Sequence, residues 1–127
     1  MNSILIVDDD IKLCATLSED LNEIGYFTHF VTNVDDALNY VKSSVVDLIL
    51  LDLKMADKDG FYLLEELNDT VKIIVLTAKI DAESAVRAAK FGVSDYLLKP
   101  FSFDKLLLSI RRVLFSNVSN DAEIEEV

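Results

Sequence analysis

This chain is poor in cysteine, proline and basic residues, and it has no long apolar run; each scarcity excludes something. Its single cysteine, Cys14, cannot close an internal disulfide, which fits a reducing compartment. No apolar segment approaches the ~20 residues that a membrane helix requires. Only Met1, Asn2 and Ser3 precede the first apolar run, so no signal peptide is expected. The 12 Lys and Arg face 23 Asp and Glu, a formal net charge of -11. That balance argues against direct contact with nucleic acid, where phosphates demand clustered bases. An acidic surface also serves solubility alone. The length of 127 residues suits one domain with one sizeable core, and a hydrophobic content of 51% excludes a disordered chain. There is no internal repeat. The expectation is a cytoplasmic, soluble single domain without a membrane partner.

What the chain does have is a series of short apolar runs that end in chemically active residues. Leu48-Ile49-Leu50-Leu51 runs straight into Asp52, and a loop rich in Asp and Lys follows as far as Gly60. A run of that length suits a strand buried on both faces of a parallel sheet. Ile4-Leu5-Ile6-Val7 repeats the pattern and ends in Asp8-Asp9-Asp10. Phe27 to Val31 is more polar, interrupted by Thr28 and His29, as befits an edge strand. Lys72 to Leu76 is a fourth strand, followed by Thr77-Ala78. Asp95-Tyr96-Leu97-Leu98 is a fifth, stopped by Lys99 and the only proline, Pro100.

Helical spacing fills the intervals. Ile11, Cys14, Leu17, Leu21 and Ile24 recur at three and four residues, and Gly25 follows as a C-cap. Asn33 caps a helix over about 34–42, with Asp35 and Asp36 favouring its dipole. Asp59-Gly60 starts a helix with Phe61, Leu64 and Leu67 on one side. Asp81 caps an alanine-rich helix ending at Gly92. Ser102 caps a last one, with Phe103, Leu106, Leu107, Ile110, Val113 and Leu114 as its buried stripe. Residues 116–127 turn polar and acidic and read as a tail or the start of a linker, leaving 1–115 as the domain. Alternating strands and helices define a doubly wound α/β fold, a three-layer sandwich. The flavodoxin-like order 2-1-3-4-5 places the most polar strand at an edge and brings strands one and three together.

In that order Asp8, Asp9 and Asp52 converge. Two carboxylates about 4 Å apart repel by ~4 kcal/mol at an effective dielectric near 20, so three demand a cation. Few carboxylates and room for water suit Mg²⁺ better than a calcium cage. Lys99 offers a second positive charge at the same edge and Thr77 a hydroxyl. A carboxylate nucleophile beside such groups makes a site for accepting a phosphoryl group. Asp8-Asp9-Asp10 also reads as a solvated helix start. Asp57-Lys58-Asp59-Gly60 hints at a calcium loop, but Met55 occupies the first ligand position. Cys14 reads as an inert packed thiol, and His29 as a surface strand residue.

From Ile4 to about Phe115 the chain resembles the receiver domain of two-component response regulators. The marks are Asp8 and Asp9 after strand one, Asp52 after strand three, Gly60 eight residues later, Thr77-Ala78, Tyr96 and Lys99-Pro100-Phe101. The resemblance implies that Asp52 is the phosphoacceptor, charged by a histidine kinase or a histidine phosphotransfer protein. It implies that Asp9 binds Mg²⁺ (or Mn²⁺ in its place) directly, Asp8 mainly through water, and the Lys54 backbone carbonyl as a further ligand. Thr77 and Lys99 bind the phosphoryl oxygens, and the Lys99-Pro100 bond is cis. Thr77 and Tyr96 act as a switch that remodels the surface of helix four, strand five and helix five, a candidate homodimer face because Leu108 and Phe115 lie off the core stripe. Such a domain is no enzyme beyond its own phosphorylation and dephosphorylation. The chain departs from the family at Ala56, where many members have proline, which leaves the loop less restricted. Lys54 and Lys79 stand where the family tunes phosphoryl lifetime, to attract a donor or to shield the anhydride. Two other classes stay in view: a receiver-shaped binding module that takes no phosphate, and a small phosphohydrolase, which needs an acid where this chain has Lys54.

Overall fold

Alternate residues of each apolar run part to opposite faces of a pleated strand, and this parting builds two cores. The computed structural model describes residues 2–55, 59–67, 71–79 and 81–126, with the side chains of the last helix described as far as Phe115. The strands are β1 (Ser3–Val7), β2 (Phe27–Val31), β3 (Leu48–Leu51), β4 (Lys72–Thr77) and β5 (Asp95–Leu98). Between and after them lie α1 (Ile11–Glu23), α2 (Val34–Ser43), α3 (Gly60–Glu66), α4 (Ala82–Lys90) and α5 (Phe103–Glu126). All pairings are parallel, in the order β2-β1-β3-β4-β5. Ile4, Ile6, Leu48, Leu50, Ile74 and Leu76 pack with Cys14, Leu17 and Leu21 of α1 and Leu106, Ile110 and Val113 of α5. Leu5, Val7, Ile49, Leu51, Ile73 and Val75 pack with α2, α3 and Ala88 of α4. Each fully buried Leu, Ile or Val contributes about 1.5–3 kcal/mol.

The helix starts follow from the residues before them. Asp10, Asn33, Asp59 and Asp81 accept the amide hydrogens of Leu13, Asp36, Phe61 and Ser84. The Ser102 hydroxyl accepts that of Lys105. Each satisfies an amide that the first turn leaves without a helical partner. Gly25 and Gly92 follow α1 and α4 with φ of 105° and 75°, the left-handed turn that ends a helix at least cost in glycine.

The expected stripes and bounds hold with differences at their ends. Ile11 and Ile24, read as the ends of the α1 stripe, are 62% and 46% exposed. Ile11 is the first residue of α1, and Ile24 lies beyond its last residue as the C-cap, where the helical stripe no longer applies. In α3 Leu63 is fully buried and Leu67 only half-buried, because the helix stops at Glu66 and Leu67 leaves it in extended conformation. Thr77 belongs to β4 and is 1% exposed. Helical backbone continues past Phe115 to Glu126, with one break at Phe115 (φ -117°, ψ 18°). The Lys99-Pro100 bond is cis, as the family resemblance implies.

Candidate functional site

Strand register brings the acids together. Ile4 pairs with Leu48 and Val7 with Leu51, so the next residues, Asp8 and Asp52, leave the sheet side by side. The Asp52 amide donates to the Val7 carbonyl at 2.9 Å, and the Asp8 amide to the Val31 carbonyl at 3.2 Å. This is the carboxyl edge where the chain turns from β1 outward to β2 and later back to β3, the switch point of a doubly wound sheet.

Asp8 and Asp52 are buried and Asp9 is exposed, yet one oxygen from each lies within 4.8 Å of the others. The Lys99 ammonium, carried in from the end of β5, donates to Asp8 Oδ2 at 2.6 Å and to Asp52 Oδ2 at 3.5 Å. Asp52 Oδ1 accepts the Lys54 amide hydrogen at 3.1 Å, and Asp8 Oδ1 that of Asp10 at 2.9 Å. Three carboxylates, two of them buried, against one ammonium leave a formal charge of two negatives at the site. A divalent cation held by oxygen ligands fits that donor set, since hard carboxylate oxygens suit Mg²⁺ and the cluster found among the described residues holds no soft ligand.

The electrostatics agree with this crowding. Burial pushes the Asp52 carboxyl above its ordinary value, while the Lys54 amide and the Lys99 charge pull the other way without prevailing. Burial works to lower Lys99, but the hydrogen bond and charge of Asp8, with Asp52 behind them, hold its ammonium above its usual value. The Cys14 thiol, which donates to the Asp8 carbonyl at 3.3 Å, is pushed up to about 12 by burial and then by the charges of Asp8 and Asp10.

The remaining candidates make their contacts elsewhere. The Thr77 hydroxyl donates to the Lys79 carbonyl at 3.0 Å and so faces the connection to α4. The Tyr96 hydroxyl donates to the Ala85 carbonyl of α4 at 2.8 Å, and burial raises its pKa. His29 is exposed and stacks on Tyr40 with centroids 4.2 Å apart. The expectations for Ala56, Asp57 and Lys58 lie outside the described residues.

Sequence reasoning found Gly60 as a helix start after Asp59 and as a mark at the right distance from Asp52, without a reason for glycine there. Its structural reason is contact: a β-carbon there would stand 2.8 Å from the Asp52 carbonyl oxygen and 2.9 Å from Leu53 Cα. The Gly60 amide donates to the Leu53 carbonyl at 2.7 Å, so the first turn of α3 is seated on the backbone of Asp52. Glycine directly after an Asx cap was the signal available for this.

Fold and site together define a flavodoxin-like α/β domain with an acidic centre at its switch point. Residues 4–111 match the response regulator receiver domain, and the chain belongs to that family. It is 39% identical over 127 residues to the transcriptional regulatory protein ZraR of Escherichia coli (strain K12), covering 98% of this chain and 29% of that protein. It is 36% identical over 116 residues to the heme response regulator HssR of Staphylococcus epidermidis, covering 90% of this chain and 52% of that one. This chain therefore spans between about three-tenths and a half of the length of these relatives. Among solved structures, a CheY-like receiver domain protein from Methanospirillum hungatei JF-1 superposes with a TM-score of 0.89 at 28% identity, over 94% of this chain and 98% of the other. The response regulator TrrA from Thermotoga maritima, solved in complex with Mg(2+)-BeF, superposes with a TM-score of 0.78 at 31% identity, over 90% and 100%. No described helix is long and apolar enough to cross a membrane.

Proposed function

We propose that Asp52 accepts a phosphoryl group from a histidine kinase or histidine phosphotransfer protein and that the domain reports the event by switching its α4–β5–α5 surface. The observation that carries this is the convergence of Asp8, Asp9, Asp52 and Lys99 at one strand edge. A carboxylate oxygen of Asp52 attacks phosphorus in line; the P–O bond forms as the P–N bond to the donor histidine breaks, and the imidazole leaves with the electron pair. The product is an acyl phosphate. Lys99 has two carboxylates to hold it beside the transferring oxygens, and its raised pKa keeps it charged. Asp9, Asp8, Asp52 and the Lys54 carbonyl would hold Mg²⁺, which when bound would supply charge to offset that of the phosphoryl oxygens.

Thr77 is the reporter. Its hydroxyl must leave the Lys79 carbonyl to reach a phosphoryl oxygen, and Tyr96 must give up the Ala85 carbonyl to turn inward. Driving such an element from 1:99 to 99:1 takes about 5.5 kcal/mol of differential interaction, within reach of a few charge-assisted bonds. Leu98, Leu108 and Phe115, all more than two-fifths exposed, offer the switched surface apolar area for a second copy or a downstream partner. Residues 1–115 form the receiver, 116–127 lead away from it, and the setting is the cytoplasm.

The test is intact mass after incubation with Mg²⁺ and a small acyl phosphate. One phosphoryl adduct is expected, lost in Asp52→Asn and absent with a chelator. An adduct that survives in Asp52→Asn overturns the assignment of Asp52. No adduct from any donor leaves a receiver-shaped binding module, and rapid turnover of many phosphate esters leaves a hydrolase.

A further inference from the structure

We propose that Arg87 latches α4 to α3 in the unphosphorylated protein, so that releasing this latch is part of what phosphorylation must accomplish. The proposal rests on the phosphoacceptor reading of Asp52.

Helix α4 is lightly anchored, with Ala88 its one buried residue. From β5 it is tied by the Tyr96 hydroxyl on the Ala85 carbonyl. From α3 it is tied by Arg87. The guanidinium carbon lies 4.2 Å from the centroid of the Phe61 ring, and Nη2 lies 3.4 Å from Glu65 Oε1. Phe61 and Glu65 stand four residues apart and so side by side on α3, one offering a π face and the other a carboxylate. A planar guanidinium uses both at once, whereas an ammonium could not stack flat. Phe91, at the end of α4, adds a tilted ring contact to Phe61 with centroids 6.3 Å apart.

The socket and the helix it holds respond to different things. Phe61 is buried and follows Gly60, which is wedged on the Asp52 and Leu53 backbone, so the socket is fixed to the acceptor strand. The start of α4 is tied to Thr77, whose hydroxyl holds the Lys79 carbonyl two residues before the Asp81 cap. When Thr77 turns to a phosphoryl group, that restraint on the approach to α4 is lost while the socket stays in place. Arg87 then resists any shift of α4 along α3. The latch belongs to the resting arrangement, and removing it favours the phosphorylated one.

The experiment measures binding of Mg²⁺-beryllofluoride, a non-transferring phosphoryl mimic, to the full chain. Circular dichroism confirms that each variant is folded. The expected result is that Arg87→Gln binds about threefold to tenfold more tightly than wild type, with Arg87→Lys in between. The sign separates the latch from plain electrostatics, because deleting a cation weakens binding of an anion by charge alone; Lys105→Gln on α5 serves as the charge control. The double variant Arg87→Gln/Glu65→Gln should bind no more tightly than Arg87→Gln, since both changes break one contact. Unchanged or weaker binding by Arg87→Gln, with wild type binding normally, overturns the latch. Absence of binding to every variant and to wild type overturns the phosphoacceptor reading, and the latch with it.

Discussion

Replacing Asp52 by asparagine should make the metal-free protein more stable. At an effective dielectric near 20, two unit charges at the 4.8 Å limit of the cluster repel by about 3.5 kcal/mol, and the Lys99 ammonium 3.5 Å from Asp52 returns about 4.7 kcal/mol of attraction. Asp9, being exposed, adds repulsion of between about 1 and 3.5 kcal/mol as the effective dielectric falls from that of water toward 20. The direct charges on Asp52 thus leave roughly 0–2 kcal/mol unfavourable, and the dehydration of a carboxylate only 6% exposed adds to it. Asparagine removes the charge, keeps an oxygen to accept the Lys54 amide hydrogen, and leaves Lys99 its shorter bond to Asp8 at 2.6 Å. No buried ion is orphaned, so the gain is expected at about 1–3 kcal/mol.

The pH dependence tests the cause. Because the folded state raises the Asp52 pKa, it holds that proton more firmly than the unfolded chain does. Stability linked to the group is therefore fully present below the ordinary carboxylate value of 3.8 and is lost as pH rises through the raised folded value. The advantage of Asp52→Asn should be near zero at the acid end and should open across that window. Urea unfolding in chelator at a series of pH values measures it, with the slope m unchanged. Added Mg²⁺ at a hundred times its dissociation constant stabilises wild type by about 2.7 kcal/mol, and the variant gains less. A less stable variant at neutral pH, or an advantage that ignores pH, refutes the reasoning.

Other consequences are simpler. Gly60→Ala drives a methyl group against the Asp52 carbonyl oxygen at 2.8 Å, where only backbone can yield, so a loss of about 1–3 kcal/mol is expected. The shift of the urea midpoint checks it, and phosphoryl uptake should fall as well because the acceptor backbone is displaced. Cys14, buried and with its thiol pushed up to about 12, should resist a thiol reagent at pH 8 in the native protein and react once urea unfolds it. Prompt native labelling would show that α1 opens readily.

The parts of the fold that were legible in the sequence are those decided by single segments. Leu48 to Leu51 is apolar on both faces, and only a strand covered on both sides accommodates it; all four residues are fully buried. Asp8, Asp52, Thr77 and Lys99 each end or follow such a run, and parallel strands with aligned ends deliver them to one edge without further information. Periodicity told less about where a stripe ceases to be covered. Ile11 and Ile24 fit the α1 pattern, but one is the first residue of the helix and the other lies beyond its last, bounds that periodicity does not mark.

Contacts between elements were the least legible. Arg87 and Phe61 are distant in the chain and neither belongs to a motif; only the packing of α4 beside α3 brings the guanidinium over the ring. The same holds for Thr77 and Tyr96, recognised by position but found engaged with carbonyls on the approach to α4 and on α4 itself. An acid cluster alone would accept a phosphoryl group and report nothing. On the proposed reading, the Thr77 hydroxyl is already committed to the Lys79 carbonyl, so that its capture by a phosphoryl group would have to alter something else. With Ala88 its one buried residue, α4 is held by Tyr96 on one side and Arg87 on the other, and it is the helix on which that change would fall.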